Sequence, residues 1–198
     1  GGNRKLWTQK GNEHEITAVE INPEIAKIYQ DFFPQDKVIV TDAHQYLLEH
    51  YKEFDFIWSS PPCPTHSDMF RMDVDSGYSK AKYPDMNLYQ EIILLDNFFK
   101  GKWVIENVIS YYNPLIIPFK CHRHYFWANF DIQNIKLETF NIREGKKYYE
   151  KIYGYDLSQY VIKNKRQLLR NCVNPKLGLH IFNCAFKIKQ IKLNEVIL

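Results

Sequence analysis

Cys63 stands behind two prolines in FDFIWSSPPCPTHSDMF, the stretch Phe54–Phe70, where an apolar segment with strand character runs into Pro61 and Pro62. Proline has no backbone N–H and a fixed φ. Neither a β-ladder nor an ordinary helix continues through the pair, and the thiol is carried on a stiff, extended mount at a strand end. A cysteine placed there is either a buried turn residue, since free thiols are among the most buried side chains, or a nucleophile. Glu106, in VIENV, closes a later apolar run. Neighbouring parallel strands joined by a helical crossover set their carboxyl ends side by side, so a thiol and a carboxylate can share one cleft. Covalent chemistry by the thiol, with the carboxylate beside it, is what the pair permits.

The elements that must position these groups follow from periodicity. EITAVEI (Glu15–Ile21) alternates and is β-branched, which predicts a strand, and PEIAKIYQDFF after it has helical spacing with Pro23 at the first helical position. KVIV (Lys37–Val40), FDFIWSS and KWVIENV predict three more strands; DAHQYLLEHY and MNLYQEIILLDNFF predict helices between them. Strands alternating with helices imply an α/β fold with a mostly parallel sheet and helices on both faces, in which ligands bind beyond the carboxyl ends of the strands. Glu20, Asp42, Cys63 and Glu106 all fall at such ends. PLIIPFKCH and HYFWANFDI predict a closing antiparallel pair, and NPKLGLHIFNCAFKI (Asn174–Ile188) a last helix with Leu177, His180, Ile181, Cys184 and Ala185 on one face.

A length of 198 residues, 45% of them hydrophobic, suits one globular domain and hardly two. The net charge of +3 permits a nucleic-acid partner without requiring one. Its distribution is uneven. Asp131–Arg170 holds nine Lys or Arg against five acids, interleaved with Tyr148, Tyr149, Tyr153, Tyr155 and Tyr160, and Gly145 and Gly154 interrupt it, so it reads as irregular. Lys and Arg there would meet phosphates and the tyrosines would stack on bases; a solvated loop with packed aromatics explains the composition equally well. The four cysteines, Cys63, Cys121, Cys172 and Cys184, contain no CxxC, which excludes a disulfide framework or a zinc ribbon as the organising principle, and no metal site is expected. No apolar run of membrane-spanning length and no signal pattern occurs, so the expectation is a soluble cytoplasmic protein of a bacterial or phage-infected cell.

Taken in order, the motifs resemble those of the DNA (cytosine-5)-methyltransferases. PPCP resembles the family's Pro-Cys nucleophile motif, with Ser67 four residues on as its loop serine; ENV matches its Glu-Asn-Val block; AVEIN and TDA match the blocks that hold S-adenosylmethionine. QLLRNCVNPKLG resembles the late Gln-x-Gly-Asn-x-Val block, and GGNRKLW the end of the glycine-rich loop with the preceding strand missing. The resemblance runs from Gly1 to Gly178. It implies a Rossmann-like methyltransferase fold and methyl transfer from S-adenosylmethionine to carbon 5 of cytosine in double-stranded DNA, through a covalent Cys63 adduct with a flipped base.

Residue by residue, the resemblance makes Cys63 the nucleophile, Glu106 the group on the base's ring nitrogen and exocyclic amine, and Pro62, Ser67 and Asn107 substrate contacts. A thiol of ordinary pKa is mostly protonated at neutral pH and costs roughly 2 kcal/mol to ionise, and a carboxylate alone does not help it. The cofactor falls to Gly1, Gly2, Glu20, Ile21, Asp42, Ala43, Pro62, Asn171 and Val173. Glu20 lies 18 residues after Gly2, near the spacing at which an acid meets ribose hydroxyls in Rossmann-like sites. THSDMFRMDVDSGYSKAKYP has the length and polarity of a closing lid.

Two departures accompany these matches. The family's Gln-x-Arg-x-Arg block aligns near KCHRHYFW, with His122 and His124 at the arginine positions; a shift of one residue brings in Arg123, which is taken as the anchor for substrate or phosphate. Arg170 replaces a glycine of the late block. The implied organisation is a catalytic and cofactor-binding core over 1–130, a reduced target-recognition segment over 131–170, and a segment over 171–198 that packs back on the core. An upstream strand ending in an aromatic-x-Gly-x stretch is expected in the natural gene. A cognate restriction endonuclease as partner and a monomeric state complete the expectation. The alternatives are a catalytically inactive DNA-binding relative and an RNA cytosine-5 methyltransferase.

Overall fold

The computed structural model describes residues 1–7, 14–137 and 146–186. Alternation of short apolar strands with capped helices builds the first half. β1 (Thr17–Val19) leads to α1 (Pro23–Phe32), whose start is fixed by Pro23 and by Asn22, its side chain accepting from the N–H groups of Glu24 and Ile25. β2 (Lys37–Ile39) follows, then α2 (Ala43–His50), capped by Asp42, which accepts from the Gln45 N–H. β3 (Phe56–Ser59) enters the proline mount, α3 (Asp68–Asp75) and α4 (Asn87–Phe98) come next, and β4 (Lys102–Val108) carries Glu106. β5 (Phe119–Cys121) and β6 (His124–Ala128) form the expected antiparallel hairpin.

β1 and β2 pair in parallel, and β3 and β4 pair in parallel. Among the described residues the strands form two sheets, β1-β2 and β3-β4-β6-β5, with no strand joining β1 to β3. The flank of β3 is met instead by Trp7, whose ring lies 5.6 Å from Phe56 and 5.9 Å from Trp58.

β4 is buried from Trp103 to Asn107, and its run Trp103–Ile105 is apolar because both of its faces are covered. Trp103 and Ile105 face α4 through Leu88, Ile92 and Leu95. Val104, with Phe126 of β6, faces Val173 and the helix α7 (Pro175–Phe186) through Leu177 and Ile181. The expected last helix is thus present with the expected face inward, its final predicted residue Ile188 lying outside the described residues.

The basic, tyrosine-rich segment departs from expectation. It forms α5 (Lys146–Tyr153) and α6 (Lys165–Arg170), and its tyrosines belong to the interior: Tyr149, Tyr153 and Tyr155 are buried with Leu157 and Leu169 against Ile28 of α1. Aromatic rings repeating at helical spacing were the signal for a packed helix face. Those three rings are therefore not available to stack on bases. Arg143 and Gly145 lie outside the described residues. Among the described residues, no helix is long and apolar enough to cross a membrane.

Candidate active site at the strand ends

The parallel register pairs Ser59 with Ile105, so the chain leaving β3 toward Cys63 and the residue Glu106 lie at neighbouring carboxyl ends. Three bonds hold the mount. Asn107, 2% exposed, donates from Nδ2 to the Pro61 carbonyl at 3.1 Å, and Trp58 donates from Nε1 to Ser60 Oγ at 3.1 Å. The Cys63 carbonyl accepts from the His66 N–H at 3.0 Å, turning the chain into a short 3₁₀ turn, Pro64–His66. Asn107 accordingly serves the backbone of the mount, and Pro62 beside it is exposed.

Beyond Cys63 the segment is fastened at its root. His66 is buried, with Nδ1 2.6 Å from the Tyr112 hydroxyl, and its carbonyl accepts from the Tyr111 N–H. Thr65 Oγ1 accepts from the Asp85 N–H at 2.9 Å, and Ser67 bridges to Ser110. Ser67 caps α3, accepting from the Phe70 N–H. The stretch expected to be a lid therefore begins as a helix whose first turn is tied to the end of β4.

Burial pushes the Cys63 thiol above its ordinary range, and the Glu106 charge adds to this. Glu106 is buried and bonds His124 Nδ1. The contact follows from the β4–β6 register: Glu106 opposes Phe126 and Val108 opposes His124, so Glu106 and His124 are diagonal neighbours on one face. His122 takes a left-handed backbone (φ 56°) in the hairpin turn. This turn leaves Arg123 exposed and brings His124 to the carboxylate.

At the other strand ends, Glu20 follows β1 and accepts from the Asn22 N–H through Oε1, Ile21 is 65% exposed although apolar, and Asp42 and Ala43 are exposed at the start of α2. Two carboxylates at neighbouring strand ends with an uncovered apolar side chain beside them form an acceptor and contact set that fits an adenosine-containing cofactor. Gly2 supports the same edge: a Cβ there would lie 2.2 Å from the Val173 carbonyl and 3.0 Å from Cys172 Cβ. Gly2 and Val173 are thus brought together, with Val173 as a core residue; Gly1 lies against Tyr29 of α1 and Phe33 just after it, its carbonyl accepting from the Tyr155 hydroxyl. Asn171 is exposed at the end of α6 and bonded to Gln167.

Parallel strand pairs with helices on both faces, an antiparallel hairpin at one edge and polar groups gathered at the strand ends place the molecule in the Rossmann-like α/β class of methyltransferases. A sequence profile of the C-5 cytosine-specific DNA methylases matches residues 1–110, and the chain belongs to that family, whose methyl donor is S-adenosylmethionine. Two solved structures are similar. DNMT2 of Spodoptera frugiperda has a TM-score of 0.37 and 24% identity over 55% of this chain and 32% of its own. The methyltransferase EhMeth of Entamoeba histolytica has a TM-score of 0.37 and 13% identity over 74% of this chain and 55% of its own. The chain thus spans about a third of the first and just over half of the second. No curated protein sequence gives a significant match.

Proposed function

We propose that the protein methylates carbon 5 of cytosine in double-stranded DNA through a covalent Cys63 adduct, as a modification enzyme of the restriction or phage type. The observation that carries this is the parallel pairing of β3 and β4, which sets Glu106 and the chain leading to Cys63 at neighbouring carboxyl ends. With a cytosine flipped into the cleft, the Cys63 Sγ–C6 bond forms and carbon 5 gains the electron density it lacks in the free base. Glu106 holds a proton at the ring nitrogen, and His124 steadies Glu106. After methylation a water molecule takes the carbon 5 proton, the electron pair of that C–H bond restores the C5–C6 double bond, and the Sγ–C6 bond breaks with its electrons on sulfur, freeing Cys63 as the thiolate. Pro62 and Ser67 border the base, and Asn107 fixes the mount. Arg123, exposed in the β5–β6 turn, is assigned to a phosphate.

S-adenosylmethionine, when bound, supplies an activated methyl group; Glu20, Ile21, Asp42 and Ala43 would hold it, with Gly1, Gly2, Pro62, Asn171 and Val173 shaping the edge. The working division is a core over 1–130, a target-recognition segment over 131–170 and a returning segment over 171–198. The protein acts as a monomer in this proposal, alongside a restriction endonuclease.

The test is covalent trapping on DNA containing 5-fluorocytosine with cofactor present. A complex stable to denaturation is expected, and Cys63→Ala should reduce both trapping and methyl transfer by about 10⁴-fold or more. A complex that persists in Cys63→Ala removes Cys63 as nucleophile. Competition by tRNA in place of DNA would move the acceptor to RNA, and DNA binding without any trapping would make the chain a silent relative.

A further inference from the structure

Glu91 is a carboxylate with no Lys or Arg among its described partners, set at 3% exposure on the inner face of α4 beside Leu88, Ile92 and Leu95. Burial raises its pKa, and the hydrogen bonds of Ser59 and His44 work against that rise. A leucine at this helix position would avoid the desolvation cost of an acid. What the acid provides is two acceptors on one rigid group. Oε1 lies 3.0 Å from His44 Nδ1, and Oε2 accepts from Ser59 Oγ at 2.5 Å.

The two partners belong to the two halves of the site. His44 is the second residue of α2, directly after Asp42 and Ala43. Ser59 is the last residue of β3, four before Cys63, and is in register with the residue preceding Glu106. One buried side chain therefore spans from the cofactor edge to the root of the nucleophile mount.

We propose that Glu91 is a positioning residue that couples cofactor binding at the start of α2 to the placement of Cys63. It rests on the assignment of these segments made above. A cofactor packed against Asp42 and Ala43 restrains His44; His44 restrains Glu91, and Glu91 restrains Ser59 and the Pro61–Pro62–Cys63 mount that follows. The two sheets share no strand among the described residues, so this side-chain link is a direct connection between β3 and the segment that follows β2. Glutamine preserves it in part, accepting from Ser59 and donating to an unprotonated His44 Nδ1; leucine abolishes it.

The experiment uses the full chain and S-adenosylhomocysteine as probe, with alkylation of Cys63 by iodoacetamide followed by peptide mass spectrometry. In the unsubstituted protein, ligand should change the Cys63 alkylation rate by about fivefold. Ser59→Ala and Glu91→Leu should remove that response. Ser59→Ala should also weaken S-adenosylhomocysteine about threefold by calorimetry, although Ser59 lies outside the cofactor set. Glu91→Gln should keep at least half of the response. If Glu91→Leu fails to fold, Ser59→Ala and Glu91→Gln carry the test. An equal ligand response in all variants, or none in the unsubstituted chain, overturns the coupling. Trapping on 5-fluorocytosine separates the two assignments: adduct without coupling defeats only Glu91, and coupling without adduct defeats only the proposed reaction.

Discussion

The proposed nucleophile side and the proposed cofactor side of the site are built by different means. Glu106 sits on the four-stranded sheet and Cys63 just beyond its strand β3, and nearly every group around them has a partner: Pro61 with Asn107, Ser60 with Trp58, Glu106 with His124, His66 with Tyr112. Glu20, Ile21 and Asp42 stand on a separate two-stranded sheet, and Ile21, Asp42 and Ala43 are exposed. A covalent step needs a thiol held in one place at some cost in free energy, so it is built into the part of the fold with the most buried apolar surface. A cofactor that enters and leaves needs an open edge, and the exposed Ile21 is what such an edge leaves uncovered.

The contrast breaks first at Glu106. Glu106→Gln should lower methyl transfer by about 10²–10³-fold through the lost proton and charge. The same variant should also move the pH midpoint of Cys63 alkylation downward, because the carboxylate charge is one of the two causes that hold the thiol above its ordinary range. The sign is fixed: a raised thiol pKa means less thiolate at neutral pH, and removing the negative neighbour restores some. An unchanged or higher midpoint, measured by iodoacetamide rates across pH, would place Glu106 outside the site.

A smaller effect tests how the cofactor edge is supported. A Cβ on Gly178 would lie 2.2 Å from the Asn3 carbonyl oxygen, backbone against backbone, so Gly178→Ala should destabilise by about 1–3 kcal/mol in urea unfolding. Because Gly178 belongs to α7, which also packs on β4 and β6, the loss should appear as global destabilisation. The smallest effect is at Ile21. Ile21→Ala should weaken S-adenosylhomocysteine about fivefold while stability stays within about 0.5 kcal/mol, the pattern of a residue exposed until ligand covers it. A large stability loss there would erase the distinction between the two sides.

Much of this was legible in the residues. Every strand and helix expected through Ala128 is present because apolar period, Asn, Asp and Ser caps and proline starts all agree locally, and the closing hairpin followed from its aromatic pair of runs. That the strands leading to Cys63 and Glu106 are neighbours was legible because the crossover rule requires it, and β3 and β4 do pair in parallel. The role of His124 was half visible. Two histidines stood at arginine positions, but which one meets Glu106 depends on strand register and on the left-handed His122, neither of which is a local property. Glu91 gave no signal, since an acid in a helical pattern reads as surface until the helix is docked. The tyrosines of α5 misled for the opposite reason: basic neighbours suggested a nucleic-acid surface, while their spacing had already specified a packed face.

The N-terminal turn and α7 interlock, with Trp7 Nε1 donating to the Gly178 carbonyl across 171 residues of sequence. This bond joins the two ends of the described chain, and it bears on the order of folding. Local strand–helix units can form as they are made, but the cofactor edge beside Gly2 gains its backing only when the chain's last described helix docks. The ability to recognise cofactor should therefore be the slowest native property to return on refolding, lagging behind the recovery of helix and strand content.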